Sequence, residues 1–144
     1  MAFILKADVE AIIYADELDV LTQAITDHFD KAERSTVDFF KGYLRSRYDV
    51  DQLFADYDGT GEDNRPAALV TYMCDYLLCI LYATQPDRMF PENRRERCER
   101  AKEWLEDINS GVIDPGFPTV NSDEETDINA PIQWNSNKKV SSTW

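Results

Sequence analysis

The sequence predicts an all-α protein: a small helical bundle of three main helices, preceded by short N-terminal helices and followed by an extended C-terminal tail. Three observations carry this reading. Apolar residues recur at three- and four-residue spacing through three long stretches. The chain has only 5 Gly against 7 Tyr and 7 Phe, which favours long regular elements over many tight turns. Beyond Gly111 the periodicity stops, and Pro115, Pro118 and Pro131 break any further helix. The 144 residues are enough for one domain. A chain of this size buries roughly two-thirds of its unfolded surface and folds without staples. The expected division is a helical body over 1–111 and a tail over 112–144.

Lys6–Tyr14 reads as a short helix with Val9, Ile12 and Ile13 turned inward, and Glu17–Thr26 as a second short helix or turn on Leu18, Leu21 and Ile25. The first long helix is expected from about Asp27 to Tyr48. Phe29, Ala32, Val37, Phe40, Leu44 and Tyr48 track its apolar face, and Lys31, Arg34, Asp38, Lys41 and Arg45 the other. Gly42 interrupts it at a cost of about 1 kcal/mol relative to Ala. Asp49–Asn64 is a loop punctuated by Gly59 and Gly61, with Leu53 and Phe54 tucked back on the core. The second long helix runs from about Pro66 to Thr84, with Asn64 placed to cap it. It is apolar nearly all round, as befits the central helix of a bundle. Asp75 within it needs solvent or a partner such as an arginine, because a buried unpaired carboxylate is costly. Pro91 opens the third helix, Glu92–Ser110, whose inward residues are Cys98, Ala101, Leu105 and Ile108, with Gly111 as its C-terminal stop.

The charge is lopsided, with 28 acids against 15 bases and a net charge of −13. Such a surface is a poor grip for DNA or RNA, whose binding depends on neutralising phosphates. It reads either as a solvated face or as a wall past which DNA slides. Cys74, Cys79 and Cys98 form no CxxC pair, and all three are expected as buried free thiols made in a reducing compartment. The apolar start of MAFILKADVEA is too short for a signal peptide, and no membrane span is expected.

Chemistry-bearing patterns are scarce. If Gly59 took the sixth place of a calcium loop, Phe54 and Arg65 would fall at the first and twelfth, where neither can ligate. Gly59-Thr60-Gly61 lacks the third glycine of a dinucleotide fingerprint. His28 is the only histidine and has no matched nucleophile. Zinc has no ligand set. Neither an enzyme nor a cofactor is expected.

The order of segments does resemble a known family. A short helical entry (DVEAII) leads to a long helix closing on YLRSRY, an acidic loop, an apolar helix and a last helix reading ERAKEWLEDINSGVI. This resembles the phage Mu-type head–tail connector, or head-completion adaptor, family. Tyr43-Leu44 and Arg47-Tyr48 match its Tyr-Leu and Arg-Tyr pairs. Ala101, Leu105, Ile108 and Gly111 match its closing pattern, and Ser136-Asn137-Lys138-Lys139 its late Ser-Asn followed by bases. The sequence departs from the family pattern at Asp49-Val50, where many relatives carry a proline-leucine turn. The resemblance implies a non-enzymatic virion protein, made in the host cytoplasm. It would form a homo-oligomeric ring, dodecameric by the same resemblance, below the portal protein. The ring would extend the DNA channel without binding DNA specifically and dock the tail or a tail-completion protein.

Candidate interface residues fall in three groups. Tyr43, Arg45, Arg47 and Tyr48 close the first long helix. They either complement its C-terminal dipole and line the core edge, or anchor a subunit contact. Arg94, Arg95, Arg97 and Arg100 sit at the unfavourable dipole end of the last helix. They are expected to answer acids in Asp49–Asp63 or on a neighbouring copy. Trp134, Lys138, Lys139 and Trp144 mark a tail that either folds back or docks on a subunit or the portal. The rival reading is an acidic phage-encoded module that binds and inhibits a host protein.

Overall fold

The structure, a computed structural model, describes residues 2–23, 26–85 and 90–120. Among the described residues six helices follow one another: α1 (Lys6–Glu10), α2 (Ala15–Thr22), α3 (Thr26–Leu44), α4 (Val50–Leu53), α5 (Ala67–Ala83) and α6 (Glu92–Asn109). α3, α5 and α6 are the three main rods of an all-α bundle. Among the described residues the only β pairing is an isolated antiparallel bridge between Tyr48 and Thr119.

α5 is central because its sequence is apolar on almost every side. Leu69, Met73, Leu77 and Leu78 are 0% exposed and Leu81 is 1% exposed. Each such side chain contributes about 1.5–3 kcal/mol on leaving water. α5 packs on α3 and α6 and also meets α1 and α2. α3 turns Phe29, Ala32, Phe40 and Leu44 inward, as its spacing predicts. Thr36, not Val37, is the fully buried residue of its middle turn. The Thr36 hydroxyl is satisfied by donating to the Ala32 carbonyl at 2.8 Å. From α6, Cys98, Ala101, Leu105 and Ile108 complete the core.

Several boundaries differ from expectation for local reasons. α3 stops at Leu44 rather than Tyr48: Tyr48 N–H still makes a helix-type bond to the Leu44 carbonyl at 2.9 Å, but the residue itself pairs with Thr119 in an antiparallel bridge. The 49–64 loop contains α4, capped by the Asp49 carboxylate, which accepts from Gln52 N–H at 3.2 Å. Leu53 and Phe54 are buried, as expected. Asn64 does not cap α5; the N-cap is Pro66 and has no side-chain bond. α6 ends as its sequence requires. Gly111 has φ +88, its N–H reaches the Ile108 carbonyl at 3.1 Å, and Val112 N–H reaches the Asp107 carbonyl at 2.8 Å. This is a Schellman stop, which needs a left-handed residue and so favours glycine.

The cysteine expectation is corrected. Cys79 and Cys98 form a disulfide that joins α5 to α6, with Cα atoms 6.3 Å apart, and only Cys74 is a buried free thiol. Spacing along the chain gave no sign of this pair; the antiparallel α5–α6 hairpin creates it. Burial pushes the Cys74 thiol up to about 12.

Residues outside the helices also join the core. Phe3 and Ile4 are buried before α1 begins, and their N–H groups donate to the buried Glu33 carboxylate of α3 at 2.8 and 3.2 Å. Beyond α6, residues 113–119 lie on the bundle as a strap, with Phe117 buried.

Candidate functional site

The end of α3 is built around the departure of the chain from α6. Arg47 Nη1 donates to the Ile108 carbonyl at 2.7 Å, near the C-terminus of α6, where carbonyls lack helical partners. The same guanidinium lies over the Tyr48 ring at 5.6 Å. Tyr48 is only 4% exposed, and its ring meets Phe117 edge-on at 5.6 Å. Phe117 in turn meets Trp104 at 6.2 Å, and Trp104 stacks on Tyr72 at 4.6 Å. Asp49 N–H donates to the Pro118 carbonyl at 2.8 Å and fixes the strap beside α4. Arg47 and Tyr48 therefore act within the chain. Tyr43 is half-buried beside Phe39, at 5.2 Å, and Arg45 is exposed.

The arginines of α6 do not meet the Asp49–Asp63 loop. Arg97 reaches back to the buried Asp75 of α5 at 3.4 Å, which gives that carboxylate the arginine its position calls for. The bond is long and Arg97 is 43% exposed, so the pairing is modest. Burial raises the Asp75 pKa above the usual carboxylate value, and the charges of Arg97, Arg94 and Arg100 only partly oppose it. Arg95 forms a surface pair with Glu92 at 2.7 Å and lies near the Phe90 ring. Arg100 is exposed. Arg94 points toward the α1–α2 turn, where Nη2 donates to the Ile12 carbonyl and Nη1 is buried without a hydrogen-bond partner. Trp134, Lys138, Lys139 and Trp144 lie outside the described residues.

Sequence reasoning missed the most heavily bonded cation. The Arg65 side chain is only 7% exposed. It pairs with both Asp8 carboxylate oxygens at 2.8 and 3.1 Å and donates to the Phe3 carbonyl at 2.5 Å. It also grips Asp63 through Nε and Nη2, both at 2.8 Å, and lies 4.3 Å over the Tyr57 ring. This hub ties the acidic loop to the N-terminal segment. The side-chain bonds of Arg65 lower the Asp63 carboxyl to about 2, and those of Asp63 raise the Arg65 pKa further. Its only signal in sequence is a lone arginine between an acidic run and the proline that opens α5.

The remaining polar groups are used locally. The Asp58 carboxylate accepts from the N–H and hydroxyl of Thr60, which lowers its pKa. The His28 ring nitrogen Nδ1 lies 3.0 Å from the Thr22 carbonyl and so carries the proton there. Among the described residues, no group of three or more His, Cys, Asp or Glu could hold a metal ion, and no helix is long and apolar enough to cross a membrane. A cavity of about 710 Å³ opens between the α1–α2 turn and the start of α6, with Glu10, Tyr14, Glu17 and Arg94 in its lining.

No family model matches the chain, and no similar protein emerges among curated proteins or solved structures.

Proposed function

We propose that this protein is a structural head–tail connector of a tailed bacteriophage, a homo-oligomeric ring in the virion below the portal. The ring extends the DNA channel and offers the tail a docking surface. The observation that carries this reading is the Arg47–Ile108 bond. It joins, across 61 positions, the two stretches whose residues resemble the connector family. Ala101, Leu105 and Ile108 of the closing pattern are 0% exposed, and Gly111 stands where a left-handed residue is needed. The four matched positions thus have physical roles that favour their residue types.

The surface chemistry suits the same reading. A net charge of −13 repels a polyanion and leaves DNA free to move through a bore. Among the described residues, Arg45, Arg47, Arg95 and Arg100 are the exposed cations of the expected interface groups, and all but Arg47, which holds the Ile108 carbonyl, are available to a neighbouring copy.

Purified full-length protein, alone and with a portal protein, tests the reading by mass photometry and cryo-EM. A ring, twelve-fold by the family resemblance, that seats on the portal is expected. A strict monomer that ignores the portal at every concentration overturns it. Removing Asn121–Trp144 in the phage is expected to yield full heads without tails.

A further inference from the structure

We propose that an aromatic belt along α3 and α5 is the docking site for residues 128–137 of the same chain. The inference stands apart from the connector reading, since it concerns one chain alone and holds for a monomer as for a ring.

Phe39 and Tyr43 of α3, Tyr72, Tyr76 and Ile80 of α5, and Trp104 of α6 are each half-buried at the edge of the core. Phe39 stacks on Tyr76 at 4.4 Å and meets Tyr43 at 5.2 Å, and Tyr72 stacks on Trp104 at 4.6 Å. Tyr72, Tyr76 and Ile80 share one face of α5 and carry the belt along it for about 12 Å. Charged neighbours in sequence are engaged elsewhere. Asp75 is buried against Arg97, and Asp38 and Lys41 line a hollow beside Phe3 and Phe54. In a chain of net charge −13, such an uncharged aromatic face has the composition of an interface core. Among the described residues, the hydroxyls of Tyr43, Tyr72 and Tyr76 make no hydrogen bond. Burial and the adjacent Tyr43 raise the Tyr76 pKa. Gly42, between Phe39 and Tyr43, is exposed, and a Cβ there would meet nothing within 4 Å. The bundle makes no use of that missing side chain, whereas a covering segment gains close approach from it. A fitting occupant is therefore apolar, uncharged and able to bond tyrosine hydroxyls.

The chain supplies such a segment. Residues 128–137 read INAPIQWNSN and carry no charge. Ile128, Ile132 and Trp134 bring apolar area, and Asn129, Gln133 and Asn135 bring neutral amides for the hydroxyls. The stretches on either side fit less well. Asp123, Glu124, Glu125 and Asp127 precede it, and Lys138 and Lys139 follow. A charge laid on an uncharged aromatic face loses water without gaining a partner.

The path of the strap selects the same chain. Phe117 already packs on Trp104, one end of the belt, at 6.2 Å. Thr119 is bridged to Tyr48, which lies just past Tyr43 in sequence. Residue 128 is nine positions past Thr119 and can reach as far as about 30 Å, more than twice the length of the belt. The exposed guanidinium of Arg47, next to Tyr48, offers the intervening acids a cation on the way. A segment tethered this closely acts at an effective concentration on the order of millimolar. A second copy in solution acts only at its own, far lower concentration, so the chain's own segment occupies the belt first.

The test uses the full-length chain with Gly42 replaced by the photoreactive benzoylphenylalanine, half of the sample being ¹⁵N-labelled. Irradiation is expected to give crosslinks from position 42 to residues within 128–137, each of one isotope only, at a yield independent of protein concentration. Ile132→Ser with Trp134→Ser is expected to cut that yield about tenfold, as befits loss of an aromatic anchor, while leaving every bundle residue intact. Hydroxyl-radical footprinting is the second measurement and needs no probe on the belt. Tyr43, Tyr72 and Tyr76 are expected to oxidise severalfold faster in the double variant than in the native chain. Crosslinks of mixed isotope mass, which place a second copy on the belt, overturn the inference. So do crosslinks to 138–144 instead of 128–137, or a yield and a footprint that the double variant leaves unchanged.

Discussion

Reduction of the Cys79–Cys98 disulfide gives the sharpest test of the α5–α6 register. The bond closes a loop with a sequence separation of 19. Loop-closure entropy for that length corresponds to about 3 kcal/mol of stabilisation at 25 °C, gained mainly by restricting the unfolded chain. For a chain of this size, a loss of that magnitude lowers the melting temperature by roughly 10 °C. Cys79 is half-buried and Cys98 buried, so reductant enters from the Cys79 side. The assay is urea unfolding followed by circular dichroism, with and without a phosphine reductant, alongside a thiol count on denatured protein. One reactive thiol per chain before reduction and three after are expected, because Cys74 alone is free. The double variant Cys79→Ala, Cys98→Ala should match the reduced protein and be insensitive to reductant. Three thiols at the outset, or a urea midpoint that does not move on reduction, would refute the pairing and the helix register that produces it.

Other substitutions test the fold at single points. A Cβ at Gly42 would meet nothing within 4 Å. Gly42→Ala is therefore expected to stabilise α3 by about 0.5–1 kcal/mol, read as a higher urea midpoint. Gly111→Ala puts a side chain on a left-handed residue and should cost about 1–2 kcal/mol in the same assay. Arg65→Ala leaves Asp8 and the Phe3 carbonyl without their partner, and about 3–5 kcal/mol of destabilisation is expected. Asp75→Asn tests pH linkage. The raised native pKa of Asp75 means that the folded state binds its proton more tightly than the unfolded state does. That contribution is present below the unfolded value of about 3.9 and is lost as pH rises through the native value. The variant should therefore gain stability relative to the native protein as pH rises through that window, in paired urea titrations.

The main rods were legible because burial on several sides leaves a direct mark in sequence. The run from Ala67 to Ala83 could hardly be other than a central helix, and Leu69, Met73, Leu77 and Leu81 occupy the places that a helical repeat assigns them. The C-terminal stop at Gly111 was legible for a similar reason, since few residues tolerate its backbone. What was not legible depends on partners distant in sequence. Tyr48 continues the apolar stripe of α3, yet the strap at Pro118 and Thr119 draws it out of the helix. Glu33 lies among polar residues of α3, and only the path of Phe3 and Ile4 turns it into a buried acceptor. The roles of the arginines in the candidate site were hidden in the same way, because each depends on which carbonyl or carboxylate the fold brings within reach.

Apart from Arg97, which pairs with Asp75, those arginines divide into two kinds, and the division bears on function. Arg47, Arg65 and Arg94 each donate to a main-chain carbonyl on a distant segment: Ile108, Phe3 and Ile12. A planar guanidinium suits this work, because it holds several acceptors in a fixed fork where a lysine would offer a single point charge. These residues set where the N-terminal segment, the α1–α2 turn and the outgoing strap sit on the bundle, so their loss would first be felt as lost order. Arg45, Arg95 and Arg100 are exposed and make no such main-chain clamp among the described contacts. Replacing those three with glutamine should leave the urea midpoint within about 0.5 kcal/mol of the native protein, as is usual for surface sites. If the same triple variant also forms rings with undiminished affinity, the subunit contact must lie on other surfaces.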